Sequence, residues 1–287
     1  MKNYKEKYGE YALITGASSG LGKEFATQLA GKGLNLVLVA RRENRLEKLA
    51  LKLKSEFQIK VKTIALDLLE DNAIETLISE TNDLNIGLLI PNAGMEVHGD
   101  FVKNNYKTES KVVELNTLIP MQLAHVFGEK MVQRNKGGII FISSTFGHQS
   151  VPYFANYSAT KAYILSIGQA LNYEFKKSGV DVTVLSPGLT DTEMADNMEG
   201  MNFNKMPVVK MKVEPVVKTA INALGKKQAV IPGVLNNIMD VLGKFTTPRW
   251  VNTNMFGFLV SRAMSKTKFR KPQASQFSKE NLAIRKS

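Results

Sequence analysis

Tyr157 and Lys161 lie four residues apart, and Ser144 closes an apolar run thirteen positions upstream. A tyrosine, a lysine and a serine so arranged are the minimum apparatus for moving a proton on a carbonyl or alcohol oxygen. Residues four apart on a helix share a face, which brings the Lys161 ammonium near the Tyr157 hydroxyl. A neighbouring cation favours phenolate and lowers a tyrosine pKa from about 10 toward working pH. Lowering it to about 7 would take roughly 4 kcal/mol of differential stabilisation. Ser144 would hold the substrate oxygen by a hydrogen bond. Spacing alone is not selective, because Tyr173 and Lys177 repeat it. No strand-end serine accompanies that second pair, which reads as a solvated helix face.

Such a trio needs a frame. Apolar runs of four to six residues begin near Ala12-Leu13-Ile14, Leu36-Val37-Leu38-Val39, Val61, Gly87-Leu88-Leu89-Ile90, Ile139-Ile140-Phe141-Ile142 and Val182-Thr183-Val184-Leu185. Rich in Leu and β-branched residues, they read as buried parallel strands, with a short seventh at Ala229-Val230-Ile231. Helix-like segments at 23–30, 45–57, 70–80, 108–135 and 157–177 lie between them. Alternating strands and helices predict right-handed crossovers and an α/β fold, a doubly wound (Rossmann-like) parallel sheet with helices on both faces. The pattern divides the chain into a catalytic domain over 1–234 and a C-terminal extension over 235–287.

Thr15-Gly16-Ala17-Ser18-Ser19-Gly20-Leu21-Gly22 joins the first strand to the first helix. Glycines there permit a tight turn and let the backbone approach a diphosphate at a helix N-terminus. The spacing, G-x-x-x-G-x-G, differs from the standard dinucleotide fingerprint. NAD sites place an acid after the second strand to hold the ribose 2′-hydroxyl. Here that strand runs into Ala40-Arg41-Arg42, with no acid before Glu43. A guanidinium pairs bidentately with a 2′-phosphate, so the expected cofactor is NADP(H), with Arg41 as the main contact and Arg42 secondary.

These features together resemble the short-chain dehydrogenases/reductases, from about Tyr11 to Gly233. The resemblance rests on the glycine turn, Asp67 after strand three, Asn92-Ala93-Gly94 after strand four, Asn116, Ser144, Tyr157, Lys161 and Pro187-Gly188. It implies Ser144 as anchor of the substrate oxygen, Tyr157 as general acid/base and Lys161 as ribose ligand and pKa modifier. It also implies cofactor contacts from Gly16, Ser18, Ser19, Gly20, Leu21, Gly22, Asp67 (beside the adenine), Asn92, Ala93 and Gly94, and from Tyr157 alongside Lys161. Pro187, Gly188, Thr190 and Thr192 would meet the nicotinamide. Pro91 stands where many members have a second Asn. Pro120 has no N–H to offer the Asn116 carbonyl, four residues earlier. The resemblance implies that this carbonyl holds a water contacting the catalytic lysine; a simple kink is the other reading.

The segment after Thr192 carries Met194, Met198, Met201, Met206 and Met211. In the family it covers the substrate, and flexible apolar methionines suit a lipophilic ligand, 3-oxoacyl or steroid-like; ordinary core packing is the alternative. His98 and His148 flank the expected cleft and are assigned no role.

The 287 residues hold no cysteine, which leaves no thiolate chemistry, and three scattered histidines, which make a metal site unexpected. The charged N-terminus lacks the apolar core of a signal peptide, and no run reaches the ~20 residues of a spanning helix. The expectation is a cytoplasmic homo-oligomer, dimer or tetramer. Net charge is +12, but residues 236–287 carry ten Lys/Arg against two Asp/Glu, so most of the excess is in the tail. No nucleic-acid motif accompanies it. Within the tail, Val251, Met255, Phe256, Leu259 and Val260 form an apolar stripe among Arg249, Arg262, Lys266, Lys268, Arg270 and Lys271. It could pack on the body, cap the site, join subunits or touch an anionic membrane; residues 272–287 read as disordered. Two rival readings remain: a non-catalytic NADP-binding regulatory protein, disfavoured by the intact Ser–Tyr–Lys set, and a membrane- or nucleic-acid-binding protein.

Overall fold

The computed structural model describes residues 4–234, 236–238, 240 and 247–264. In chain order its first elements are α1 (Tyr4–Tyr8), β1 (Tyr11–Thr15), α2 (Gly20–Ala30), β2 (Asn35–Ala40), α3 (Glu43–Phe57) and β3 (Val61–Ala65). Next come α4 (Ala73–Glu80), β4 (Ile86–Ile90), α5 (Tyr106–Val113), α6 (Ile119–Gln133), β5 (Gly137–Ile142) and α7 (Ala155–Lys176). The last are β6 (Val180–Leu185), α8 (Glu193–Asp196), α9 (Val213–Ala223), β7 (Ala229–Val230) and α10 (Arg249–Ala263).

Seven parallel strands form one sheet in the order β3-β2-β1-β4-β5-β6-β7. Period-two alternation sends each strand's side chains to opposite faces. Ala12 and Ile14 of β1 join Leu36, Leu38, Leu88 and Ile90 in a core with Phe25, Leu46 and Val216 from α2, α3 and α9. Leu13 joins Val37, Leu89, Ile139 and Phe141 in a core with Leu77, Phe127 and Ile164 from α4, α6 and α7. Both faces are covered, which is why the strands read as continuous apolar runs. Chain order reverses between β1 and β4, so the crevice for a ligand opens at the carboxyl ends of those strands.

One expectation is corrected. The segment 108–135 is not one helix: a π turn, Glu114–Leu118, separates α5 from α6, and the Ile119 N–H bonds to the Glu114 carbonyl. Pro120 explains it, since it lacks an N–H and its ring crowds the carbonyl four residues back. The charged N-terminus forms α1, which buries Tyr8 and ties it to β6 through a Tyr8 Oη–Asp181 hydrogen bond of 3.0 Å.

A third apolar cluster lies outside the sheet. Val151 and Phe154 pack there with Met206 of the methionine-rich segment and with Val260, Ala263 and Met264 at the end of α10. The Asn202 N–H donates to the Ala263 carbonyl at 2.9 Å, and Met201 bridges Met264. Of the placements open to the tail, packing on the body is the one seen for 247–264. Lys266, Lys268, Arg270, Lys271 and 272–287 lie outside the described residues. No described helix is long and apolar enough to cross a membrane.

Candidate active site

The glycine turn is built for close approach. Gly16 has φ +65°, and a Cβ on Gly22 would lie 2.3 Å from the Gly16 carbonyl oxygen. Gly20 and Leu21 then open α2, whose first turn carries no acidic residue to compete with an anion at its N–H groups. The loop after β4 is stitched to this turn: Asn92 Nδ2 donates to the Thr15 carbonyl at 2.9 Å, and the Ala93 N–H donates to Thr15 Oγ1 at 2.9 Å. A diphosphate fits such a cradle, walled by backbone on two sides.

At the ends of β2 and β3 the two arginines part ways. Arg42 turns inward: Nη2 donates to Ser18 Oγ at 3.0 Å and to Ser19 Oγ at 2.9 Å, while Nη1 meets Glu193 Oε2 at 2.8 Å. Arg41 has a mostly exposed side chain (73%) and reaches Asp67 Oδ2 at only 3.7 Å. The neighbour of the glycine turn is therefore Arg42. Asp67 also accepts from the Leu69 N–H at 3.1 Å, which holds the loop after β3.

Asn116, in the π turn, spends its side chain on two other elements. Its Oδ1 accepts from the Met95 N–H at 3.0 Å, and its Nδ2 donates to the Met95 carbonyl at 2.8 Å and to Thr160 Oγ1 at 3.1 Å. It thereby registers the chain just past Gly94 against the α7 turn carrying Lys161.

Ser144 follows β5 in extended backbone, buried, with its Oγ accepting from the Phe146 N–H at 3.2 Å. Tyr157 and Lys161 lie on the first turns of α7, the Lys161 Nζ 5.6 Å from the Tyr157 ring centre and donating to the Ile142 carbonyl at 3.0 Å. Across from Ser144, the Thr145 N–H donates to the Pro187 carbonyl at 2.9 Å, and Thr190 Oγ1 donates to the Gly188 carbonyl at 3.0 Å. Thr192 caps α8 through the Ala195 N–H at 3.4 Å. The second pair stays apart from all this: Tyr173 is 72% exposed.

The expected acidic tyrosine is not what these surroundings produce. Burial pushes the Tyr157 phenol above its ordinary value, the Glu96 charge pushes the same way, and a Ser144 hydrogen bond pulls back. Burial also lowers the Lys161 ammonium to about 8. Both groups are driven toward their neutral forms because burial strips the water that supports a charge. A neutral phenol next to a hydrogen-bonding serine is a proton donor.

Several residues here carried no sequence signal. His98 and His148 have buried side chains. His98 Nδ1 meets Glu96 at 3.1 Å and its Nε2 the Glu199 carbonyl at 3.0 Å; His148 Nε2 meets Ser186 Oγ at 3.0 Å and its Nδ1 Asp240 at 2.7 Å. Asn236 lies so near Gly188 that a Cβ there would meet its Nδ2 at 2.7 Å. Only proximity in space reveals such partners, since sequence separations of up to 101 residues join them. Among the described residues no cluster of His, Cys, Asp or Glu could hold a metal.

A family model described as short chain dehydrogenase matches residues 10–202. A 7beta-hydroxysteroid dehydrogenase from Clostridium sardiniense is 33% identical over 234 residues, covering 82% of this chain and 89% of the relative. A very-long-chain 3-oxoacyl-CoA reductase from Rattus norvegicus is 30% identical over 270 residues, covering 91% and 84%. The structure of a short-chain dehydrogenase from Sphingobium yanoikuyae in complex with NADPH superposes with a TM-score of 0.73 at 32% identity, covering 83% and 96%.

Proposed function

The chain belongs to the short-chain dehydrogenase family, and from that premise we propose that it is an NADP(H)-dependent reductase of bulky, lipophilic ketones. It is an oxidoreductase that interconverts C=O and CH–OH groups with a nicotinamide dinucleotide. The observation that carries the finer reading is the convergence of Ser144, Tyr157 and Lys161 beside a glycine turn to which Arg42 is hydrogen-bonded through Ser18 and Ser19.

The cofactor supplies hydride when bound. Everything else falls to the chain. The turn at Gly16, Gly20 and Gly22 and the N-terminus of α2 hold the diphosphate; Arg42, steadied by Ser18 and Ser19, takes the 2′-phosphate; Lys161 takes the ribose. Ser144 binds the substrate oxygen and steadies the charge that develops there. Tyr157, kept neutral by burial, gives that oxygen its proton. Asn116 keeps α7 in register with the loop after β4. The substrate's apolar body lies beside the partly buried Phe146, Met198, Met201 and Phe256, whose packing on the third apolar cluster supports a steroid-like or long acyl ketone. The names of the two relatives point the same way.

We also propose a cytoplasmic homo-oligomer with peripheral membrane contact. The apolar groove between α6 and α7, lined by Met121, Ala124, Ile167, Leu171 and Phe175, supports association of copies. Trp250, Met255 and Phe258, exposed on α10 beside Arg249 and Arg262, support contact with an anionic bilayer. Size-exclusion chromatography and sedimentation with anionic vesicles test these two readings. The enzymatic reading is tested by incubating the protein with NADPH or NADH and a panel of ketones graded by bulk, following loss of the reduced cofactor. NADPH consumption that rises with ketone bulk is expected; activity confined to NADH or to small ketones would refute it.

A further inference from the structure

Glu193 belongs to no motif and takes no part in the proton relay. It follows Thr192 and begins α8, in the segment between β6 and α9. Its carboxylate faces two guanidiniums: Oε2 accepts from Arg42 Nη1 at 2.8 Å, and Oε1 accepts from Arg45 Nη1. The remainder of the Arg42 fork is held by the glycine turn, with Nε and Nη2 at 3.2 and 3.0 Å from Ser18 Oγ and Nη2 at 2.9 Å from Ser19 Oγ. Every nitrogen of Arg42 is engaged.

A guanidinium offers its N–H groups in one plane, and carboxylate and phosphate use the same edges of it. Glu193 therefore holds an edge of Arg42 that a ribose 2′-phosphate would need, and carries charge of the same sign. We propose that Glu193 is a specificity-determining residue, an internal carboxylate that competes with the 2′-phosphate of the cofactor for Arg42 and Arg45 and so limits the preference for the phosphorylated dinucleotide. This inference rests on the NADP(H) reading of Arg42 given above.

The exchange is easy to make. Arg42 and Glu193 are 43% and 44% exposed, and ion pairs at that exposure are weak and screened by salt. A phosphate, carrying between one and two negative charges, outbids a single carboxylate for the same fork. An unphosphorylated ribose has no anion with which to displace Glu193, so NADH leaves the clamp closed. Cofactor choice and the setting of α8 are thereby linked, because the carboxylate that yields to the phosphate also anchors α8 to α3.

Glu193→Gln in the full chain tests the idea by titrating NADPH and NADH separately. The Kd for NADPH should fall about two- to fivefold, the range over which exposed ion pairs shift an equilibrium. The Kd for NADH should move less than twofold, and the gain for NADPH should shrink at high salt. Glu193→Ala, which removes the acceptor altogether, must shift NADPH binding in the same direction. An unchanged Kd for NADPH would overturn the proposal. So would weaker NADPH binding, which would mean that Glu193 pre-positions Arg42. If the unmutated chain bound NADH as tightly as NADPH, the NADP(H) reading itself would fail. A wild type that prefers NADPH, with variants that do not change it, would remove Glu193 alone.

Discussion

The two sides of the cleft are joined by different kinds of contact. On the dinucleotide side, backbone meets backbone or a short side chain: Gly16 against Gly22, Asn92 on the Thr15 carbonyl, the Ala93 N–H on Thr15 Oγ1. On the substrate side, large side chains from distant segments interdigitate: His98 with Phe154, Met206 with Val260, His98 with the Glu199 carbonyl. Backbone packed too closely to admit a Cβ allows few residue types at fixed spacings, so it leaves motifs. Side-chain packing accepts many volume-conserving solutions and leaves almost none. The proposed chemistry sits at the seam, where Ser144 and Tyr157 face one another across both constructions. Variants on either side should therefore separate cofactor affinity from substrate handling.

The largest separation is expected at the seam itself. Ser144→Ala removes the group proposed to steady charge on the substrate oxygen, and losing one such donor typically costs about 10²–10³ in kcat. NADPH affinity should change little, as read by cofactor titration beside single-turnover rates. A comparable loss in both quantities would place Ser144 in cofactor binding instead.

On the dinucleotide side, Arg42→Ala should raise the KM for NADPH by about ten- to a hundredfold, in line with charge-assisted hydrogen bonds worth about 1.5–3 kcal/mol. Arg41→Ala should change it less than about threefold, because an exposed pair at 3.7 Å contributes little. The order is the reverse of the one expected from strand-end position alone. Steady-state kinetics on the two variants decides between the geometry and the position.

On the substrate side, deleting 247–287 takes away Val260, Ala263 and Met264 from the third apolar cluster. The KM for a bulky ketone should rise about tenfold with NADPH affinity preserved, as expected when a few buried side chains are lost from one wall. Global unfolding of the truncated protein would show that α10 is core to the whole fold and merge the two sides that the comparison keeps apart.

The smallest effect is a pH limb. Lys161 is lowered to about 8 by burial, so it is charged below that value and loses its charge as pH rises through it. In the free enzyme kcat/KM should fall by about half near pH 8 and continue downward, and Lys161→Arg, which stays charged, should remove that limb whatever its effect on rate. Because the folded state binds fewer protons than the unfolded chain between about 8 and the ordinary lysine value, the same shift makes folding slightly more favourable as pH rises across that window. A pH-rate profile beside thermal melts reads both signs.

What was legible in the chain follows the same division. Strand runs are apolar because both faces of the sheet are buried, so their positions emerged within a residue or two; the α5–α6 region did not, since nothing in local helix propensity announces a π turn, and only Pro120 hinted at it. The residues of the proposed relay could be picked out because helix spacing and strand ends constrain them. Their acidities were not: proximity of Lys161 to Tyr157 suggested a phenolate, while burial, which a sequence does not display, favours the neutral phenol. Arg42 and Arg41 are adjacent letters, and only the path of the chain after β2 tells which one turns toward Ser18 and Ser19. His98 on the Glu199 carbonyl, His148 on Ser186 and Asp240, and Glu193 on Arg42 and Arg45 are partnered through the fold, so no spacing could have marked those contacts.

The central claim is that Tyr157 gives the substrate oxygen its proton while the dinucleotide side works independently of it. Tyr157→Phe preserves the ring and its edge contacts with Phe146 and Phe154 and removes only the hydroxyl. With a ketone that the unmutated chain reduces, its turnover should fall by about 10²–10⁴, the usual contribution of a general acid, with NADPH affinity within a few-fold of normal. Tyr173→Phe, on the same helix with the same spacing to a lysine but exposed, should turn over within about twofold of the unmutated protein. Near-normal turnover by Tyr157→Phe would contradict the account and leave the fold and the family standing without the mechanism.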